Sequence, residues 1–223
     1  MASGATPLSP AGRPGKPRAK AGRALLPGAP SPVGDFRSAE EGRHTSFVGM
    51  VMALGSWSML FASLLFAYAV LRLRAVSWPP DGIARLPRIL PGINTLVLLG
   101  SSAALSRGVR SRSREGQGTL TRSLGFTLGL GSLFLALQIA VWIPLWRSGF
   151  TIASGVYGSV FYGLTTFHAL HVVAGLIALA LLLPKARRGV YVSGRQSPVR
   201  LTAMFWHFMD AVWVVMYVTI YLL

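Results

Sequence analysis

The sequence predicts an all-α membrane protein: a bundle of five transmembrane helices, with the N-terminus in the cytoplasm and the C-terminus outside. Three observations predict it. Five apolar segments of at least 18 residues follow one another along the 223-residue chain. Charged residues make up only 13% of the sequence, against about 25% in a soluble domain. The basic residues are concentrated in alternate connections between the apolar segments, which is how orientation is written in membrane proteins.

Residues 1–43 come first and are rich in Pro, Gly, Ala and Arg, without periodic apolar positions. Such a segment buries too little surface to offset its ordering entropy, so a disordered tail is expected, with the transmembrane domain over 44–223. It lacks the apolar core and small-residue cleavage site of a secretory signal. Its prolines argue against the amphipathic helix of a transit peptide.

The apolar segments are Phe47–Leu71, Ile89–Ser106, Ser123–Trp146, Ser148–Leu183 (its helix starting near Gly155) and Leu201–Leu223. A helix of about 20 residues spans a hydrocarbon core of about 30 Å, so each suffices. Helices are the expected form because an open sheet edge cannot be satisfied in lipid. The second segment is the shortest, and Pro87 and Pro91 suit its first turn. The tail and the connections after the second and fourth segments hold 17 basic residues, against 5 on the other side. That asymmetry places the tail in the cytoplasm.

Composition excludes several functions. Without cysteine there are no disulfides, iron–sulfur clusters or thiolate metal sites. The net charge of +16 reads as membrane topology rather than nucleic-acid binding, since the basic residues flank apolar blocks. The Arg, Ala, Gly, Pro and Leu usage points to a GC-rich bacterial genome.

Ionisable residues interrupt two segments. TFHALHVVAG carries His168 and His171, and FWHFMDAVW carries His207 and Asp210. Each such residue costs roughly 2.5–3.5 kcal/mol to insert, so it faces protein or water. Residues three apart share a helix face. Both pairs lie at comparable depth, about 18 and about 14 Å from the cytoplasmic ends of their helices. The first expectation is a hydrogen-bonded network clamping the fourth and fifth helices. A zinc or iron shell of three imidazoles and one carboxylate is a second reading, and a proton relay a third. Asn94 and Gln138 are expected to make helix–helix hydrogen bonds, and Gly125, Gly129 and Gly131 to allow close packing. Trp57, Trp142, Trp146, Trp206 and Trp213 are expected in the interfacial belt or in packing.

These stretches resemble subunit III of haem–copper cytochrome c oxidases. TFHALHVVAG is similar to that family's T-x-F-H-x-x-H-V-x-x-G signature, and FWHFMDAVWVVMYVTIYL to its closing helix. FTIASGVYGSVFY, LPGINTLVLLGSS and GMVMALGSWSMLFASLLFAY resemble three further segments in the same order. The resemblance covers residues 47–223.

It implies a non-catalytic subunit of the bacterial inner membrane. Such a subunit binds oxidase subunit I, with subunits II and IV as neighbours, and holds phospholipid. Haem, copper, cytochrome c oxidation, oxygen reduction and proton pumping would belong to partner subunits, with no cofactor in this chain. His168, His171, His207 and Asp210 would be structural, and Asn94, Gln138, Trp57 and Trp206 interhelical or lipid contacts. Family members often carry seven helices, so the first two would be missing here. Trp57 and Val141 stand where many members carry buried acids, which removes support for a proton-antenna role at those positions. A subunit III-like protein accompanying nitric oxide reductase is an alternative, and an independent membrane metalloprotein using the four-residue set another.

Overall fold

The computed structural model describes Met1 and residues 32–76, 89–110, 116–191 and 197–222. The chain divides into two units, Met1–Glu40 and Glu41–Leu223. Five helices follow in order: α1 Pro32–Arg74, α2 Ile89–Arg110, α3 Gly116–Arg147, α4 Gly155–Arg187 and α5 Ser197–Tyr217. A π-helical turn, Val218–Leu222, closes the described chain. All five helices are long and apolar enough to cross a membrane, and no strand occurs among the described residues.

The first three expected spans fall inside α1, α2 and α3, the fourth helix starts at Gly155 as expected, and the fifth span runs from α5 into the π-helical turn, with Leu223 outside the described residues; the first four helices extend into basic residues at Arg74, Arg110, Arg147 and Arg187. Extension past the apolar stretch is natural because Arg is a good helix former. The expectation of disorder over 1–43 meets a difference at its end. Residues 2–31 lie outside the described residues, but the chain is helical from Pro32. Proline is favourable at the first helical position.

Within the second unit, α2 packs on α3, α3 on α4, α4 on α5 and α5 back on α2. Neighbours in this ring run antiparallel, as their pairings show. Ser101 and Trp206, and Thr95 and Trp213, meet between α2 and α5. Phe134 with His168, and Trp142 with Tyr162, join α3 to α4. His168 with Trp213, and Phe161 with Tyr221, join α4 to α5. α1 meets α4 and α5 through long aromatic side chains. Trp57 reaches His171 and Phe205, and Phe61 reaches Phe167, His168 and His171.

The core is aromatic. Trp206, Trp213, Tyr68, Tyr162, Phe61, Phe134 and Phe161 are its largest fully buried side chains. Two glycines make room for Trp206: a methyl group on Gly131 would lie 2.6 Å from its ring, and one on Gly175 2.9 Å. Gly125 and Gly129 face open space, with nothing within 4 Å. Of the three α3 glycines expected to allow close packing, only Gly131 does. The others point away from the ring, because a helix advances 100° per residue and one stripe faces each neighbour.

The turn between α3 and α4 is built by hydrogen bonds. Gly149, at φ 83°, takes the left-handed position that ends α3. Phe150 N–H donates to Leu145 O at 3.0 Å, and Tyr162 Oη–H donates to Phe150 O at 2.8 Å. The turn is thereby tied to the second turn of α4.

Candidate functional site

The polar chemistry of the bundle is concentrated on the faces of α2 and α5. In α2, Thr95 Oγ1–H donates to Pro91 O at 2.8 Å and Ser101 Oγ–H to Leu98 O at 2.6 Å. Such back-bonding satisfies the hydroxyl proton and leaves the oxygen lone pairs free to accept. Two indoles of α5 use them. Trp213 Nε1–H donates to Thr95 Oγ1 at 2.9 Å, and Trp206 Nε1–H to Ser101 Oγ at 3.0 Å. The two tryptophans are seven residues apart, so both lie on the α5 stripe that faces α2. Thr127 Oγ1–H extends the lock to α3, donating to Ser123 O at 2.8 Å and to Ser101 O at 3.2 Å.

His207 lies beside Trp206 and also turns towards α2. Its Nδ1 pairs with Ser102 Oγ and its Nε2 with Ser106 Oγ at 3.1 Å. Ser102 and Ser106 are four apart, so their hydroxyls bracket the imidazole from successive helical turns. Asp210, one turn further along α5, is buried. Neither of its carboxyl oxygens closes a hydrogen bond.

The two α4 histidines have other surroundings. His168 is fully buried, with neither ring nitrogen hydrogen-bonded. It is enclosed by Trp213 at 5.2 Å, Phe134 at 5.9 Å and Phe61 at 6.3 Å between ring centroids. His171 is half-buried; its Nδ1 bonds to Phe167 O at 2.7 Å, and its ring meets Trp57 edge-on at 5.4 Å.

The expected clamp between α4 and α5 is therefore corrected. The hydrogen bonds of His207 run to α2, and Asp210 accepts none from the α4 histidines. The reason is register. α5 meets α4 through Trp206 and Trp213, beside Gly175 and His168, and His207 is rotated off that face. The metal-shell reading finds no geometry either. Among the described residues no three His, Asp or Glu side chains stand together in a way that could hold an ion. Both nitrogens of His207 are also already engaged.

Asn94 Nδ2 reaches Gln138 Oε1 at 3.4 Å, a weak link between α2 and α3. Asn94 Oδ1 and Gln138 Nε2 have no partner. Trp57 meets α4 and α5 through His171 and Phe205. Val141, at the other position where the resemblance expects an acid, is buried in the apolar core. Trp142 and Trp146 face Tyr162, at 6.3 and 6.2 Å. Sequence reasoning missed Thr95, Ser101, Ser102 and Ser106. Their signal is four hydroxyl residues over three turns of α2, opposite two tryptophans seven apart.

Comparison with known proteins identifies the family. The family model described as cytochrome c oxidase subunit III matches residues 37–223. Cytochrome c oxidase subunit 3 of Synechocystis sp. is 34% identical over 176 residues, covering 78% of this chain and 74% of its own. The probable cytochrome c oxidase subunit 3 of Mycobacterium leprae is 37% identical over 175 residues, covering 78% and 86%. The Sus scrofa subunit 3 is 33% identical over 196 residues, covering 82% and 74%. The aromatic and hydroxyl-locked five-helix bundle thus belongs to the cytochrome c oxidase subunit III family, and the chain is a subunit of an oxidase complex.

Proposed function

We propose that this chain is a non-catalytic, multi-pass subunit of the bacterial inner membrane. It binds oxidase subunit I, lies near subunits II and IV, and carries phospholipid on its apolar faces. The observation that carries this reading is the use made of the polar residues. Trp206, Trp213, His207, Thr95, Ser101, Ser102 and Ser106 are occupied in joining α5 to α2. Such an arrangement is suited to fixing helices rather than to presenting ligands to a cofactor. Haem and copper, and with them oxygen reduction, then reside in partner subunits.

α1 offers the surface for such partners or for lipid. Phe47, Val51, Met52, Met59, Phe66 and Leu73 are exposed along it, an apolar face that water would disfavour. The excess of basic residues on one side supports an N-terminus in the cytoplasm and a C-terminus outside.

The test is to purify the tagged chain from its native membrane in mild detergent, identify the co-purifying proteins and record an optical spectrum. Oxidase subunits I and II with haem absorption are expected. A chain that purifies alone with stoichiometric metal, or with the subunits of a nitric oxide reductase, would overturn the reading.

A further inference from the structure

Trp57 and His171 meet at mid-membrane depth. His171 is the central residue of α4, Gly155–Arg187, about 24 Å from each end. Trp57 reaches it from α1, edge-on, with ring centroids 5.4 Å apart. Each ring has one nitrogen left over. His171 Nδ1 lies 2.7 Å from Phe167 O. A carbonyl only accepts, so Nδ1 carries the ring proton and Nε2 of the neutral ring offers a lone pair. Trp57 Nε1–H can only donate. Neither Nε2 nor Nε1 is hydrogen-bonded among the described residues. Neither is sealed inside the bundle, in contrast to Trp142 Nε1 and both nitrogens of His168. A donor and an acceptor thus open side by side on the surface, at a depth where lipid tails make no hydrogen bonds. Headgroups do not reach them, since these lie about 15 Å away, half of a hydrocarbon core of about 30 Å.

The surface around the pair suits a helix. Gly163, Phe167, Leu170 and Ala174 follow one another at spacings of four, three and four, so they form one stripe of α4, and all are exposed. Nothing lies within 4 Å of where a Gly163 side chain would begin, and small residues let a second backbone come close. On the other side of the pair, α1 lies open: 6% of its span is buried, against 28–44% for the other four.

We propose that the groove between α1 and α4 seats a transmembrane helix of a partner subunit, which places a carboxamide or hydroxyl side chain against Trp57 and His171. Such a group accepts from the Trp57 indole N–H and donates to His171 Nε2, so one residue satisfies both. The pair selects a neutral group. An ionised carboxylate would set a second acceptor against Nε2, and an ammonium would set a second donor against the indole N–H. Phe61 and Phe167 hold the imidazole from its other sides, at 5.4 and 5.5 Å between centroids, and apolar walls strengthen the bonds made there. The inference rests on the reading of the chain as one subunit among membrane partners, and adds to it the face used and the chemistry that recognises the partner.

The test uses the intact complex, purified in mild detergent, with the photo-crosslinker benzoylphenylalanine at position 170. A crosslink to a transmembrane segment of a partner subunit is expected, with Asn, Gln, Ser or Thr near the labelled site. His171→Phe and Trp57→Phe keep an aromatic ring and remove the acceptor or the donor. Each should lower the crosslinked fraction and the partner retained per chain severalfold, and His171→Gln, which keeps an acceptor, should restore part of both. The double phenylalanine variant should lose little more than either single one, because one partner side chain serves both nitrogens. If the phenylalanine variants fail to insert, the crosslink in the parent chain still decides. Two results would overturn the proposal. One is the absence of a partner crosslink at position 170, with lipid, a lipid-soluble molecule or a second copy of this chain labelled instead, or nothing. The other is retention of the partner that is indifferent to both nitrogens. Which proteins co-purify tests the functional reading, and where position 170 crosslinks tests this one, so each can fail without the other.

Discussion

Trp213 donates its indole N–H to the hydroxyl of Thr95 at 2.9 Å, and Thr95 itself donates to Pro91 O at 2.8 Å. One oxygen thus ends the polar requirements of two helices. Thr95→Val keeps the shape and removes the acceptor, leaving a buried indole donor unpaired, which costs about 1–3 kcal/mol. Removing both partners in Trp213→Phe with Thr95→Val costs less than the two single changes together. A double-mutant cycle on the thermal stability of the complex should give a coupling of about 0.6–1.7 kcal/mol, the span seen for bonds between membrane helices. Additive losses would mean that the bond contributes nothing to the lock.

Close approach to Trp206 makes a second prediction. Gly131→Ala would set a methyl group 2.6 Å from the Trp206 ring and 2.8 Å from Leu176. Overpacking of this kind costs about 1–3 kcal/mol. Gly125→Ala and Gly129→Ala meet nothing within 4 Å and gain up to about 1 kcal/mol of helix propensity. Melting temperatures of the three variants in one detergent check the ordering. Equal effects at all three positions would contradict the placement of Trp206.

How much of this was legible depends on what each feature requires. The five spans follow from apolar length alone, and Pro91 and Gly155 mark starts that local backbone chemistry dictates. That His207 and Asp210 share a face was also readable from their spacing. Which helix that face meets was not. Spacing fixes angles within a helix, while the rotation of α5 against α2 and α4 comes from how Trp206 fits between Gly131 and Gly175. The sequence points the clamp at α4 because its four ionisable groups stand out there, whereas the hydroxyls of Ser102 and Ser106 look ordinary in sequence. The helical start at Pro32 was missed because Glu40, Glu41 and Arg43 interrupt the apolar pattern without interrupting the helix.

Attachment of α1 rests on a few large side chains. Trp57 and Phe61 bridge to His171, Phe167, His168 and Phe205, so replacing both with alanine removes most of what holds the helix at that depth. The chain has no cysteine, which allows spin labels at one introduced pair on exposed positions such as Met59 and Leu170. The distance distribution between them should be narrow in the parent chain and broad in Trp57→Ala with Phe61→Ala. An unchanged distribution would show that partner subunits or lipid, not these rings, hold α1.

His168 separates a packed imidazole from a ligand. Its two nitrogens are unpartnered and its neighbours are the rings of Phe61, Phe134 and Trp213. A ring N–H aimed at a π face recovers only a fraction of a hydrogen bond, about 0.5–1 kcal/mol at best. Phenylalanine has a comparable shape and no polar atoms to desolvate. His168→Phe should therefore shift stability by less than about 1.5 kcal/mol in either direction, as volume-conserving apolar swaps do. His207→Phe gives the contrast, because it strands the hydroxyls of Ser102 and Ser106, and it should destabilise more than His168→Phe. Thermal melts of both variants, with metal content determined per complex, check the pair. A drop in bound metal in the His168 variant would establish coordination that the ring packing argues against, and a large loss of stability without it would mean that the imidazole nitrogens have polar partners in the assembled oxidase.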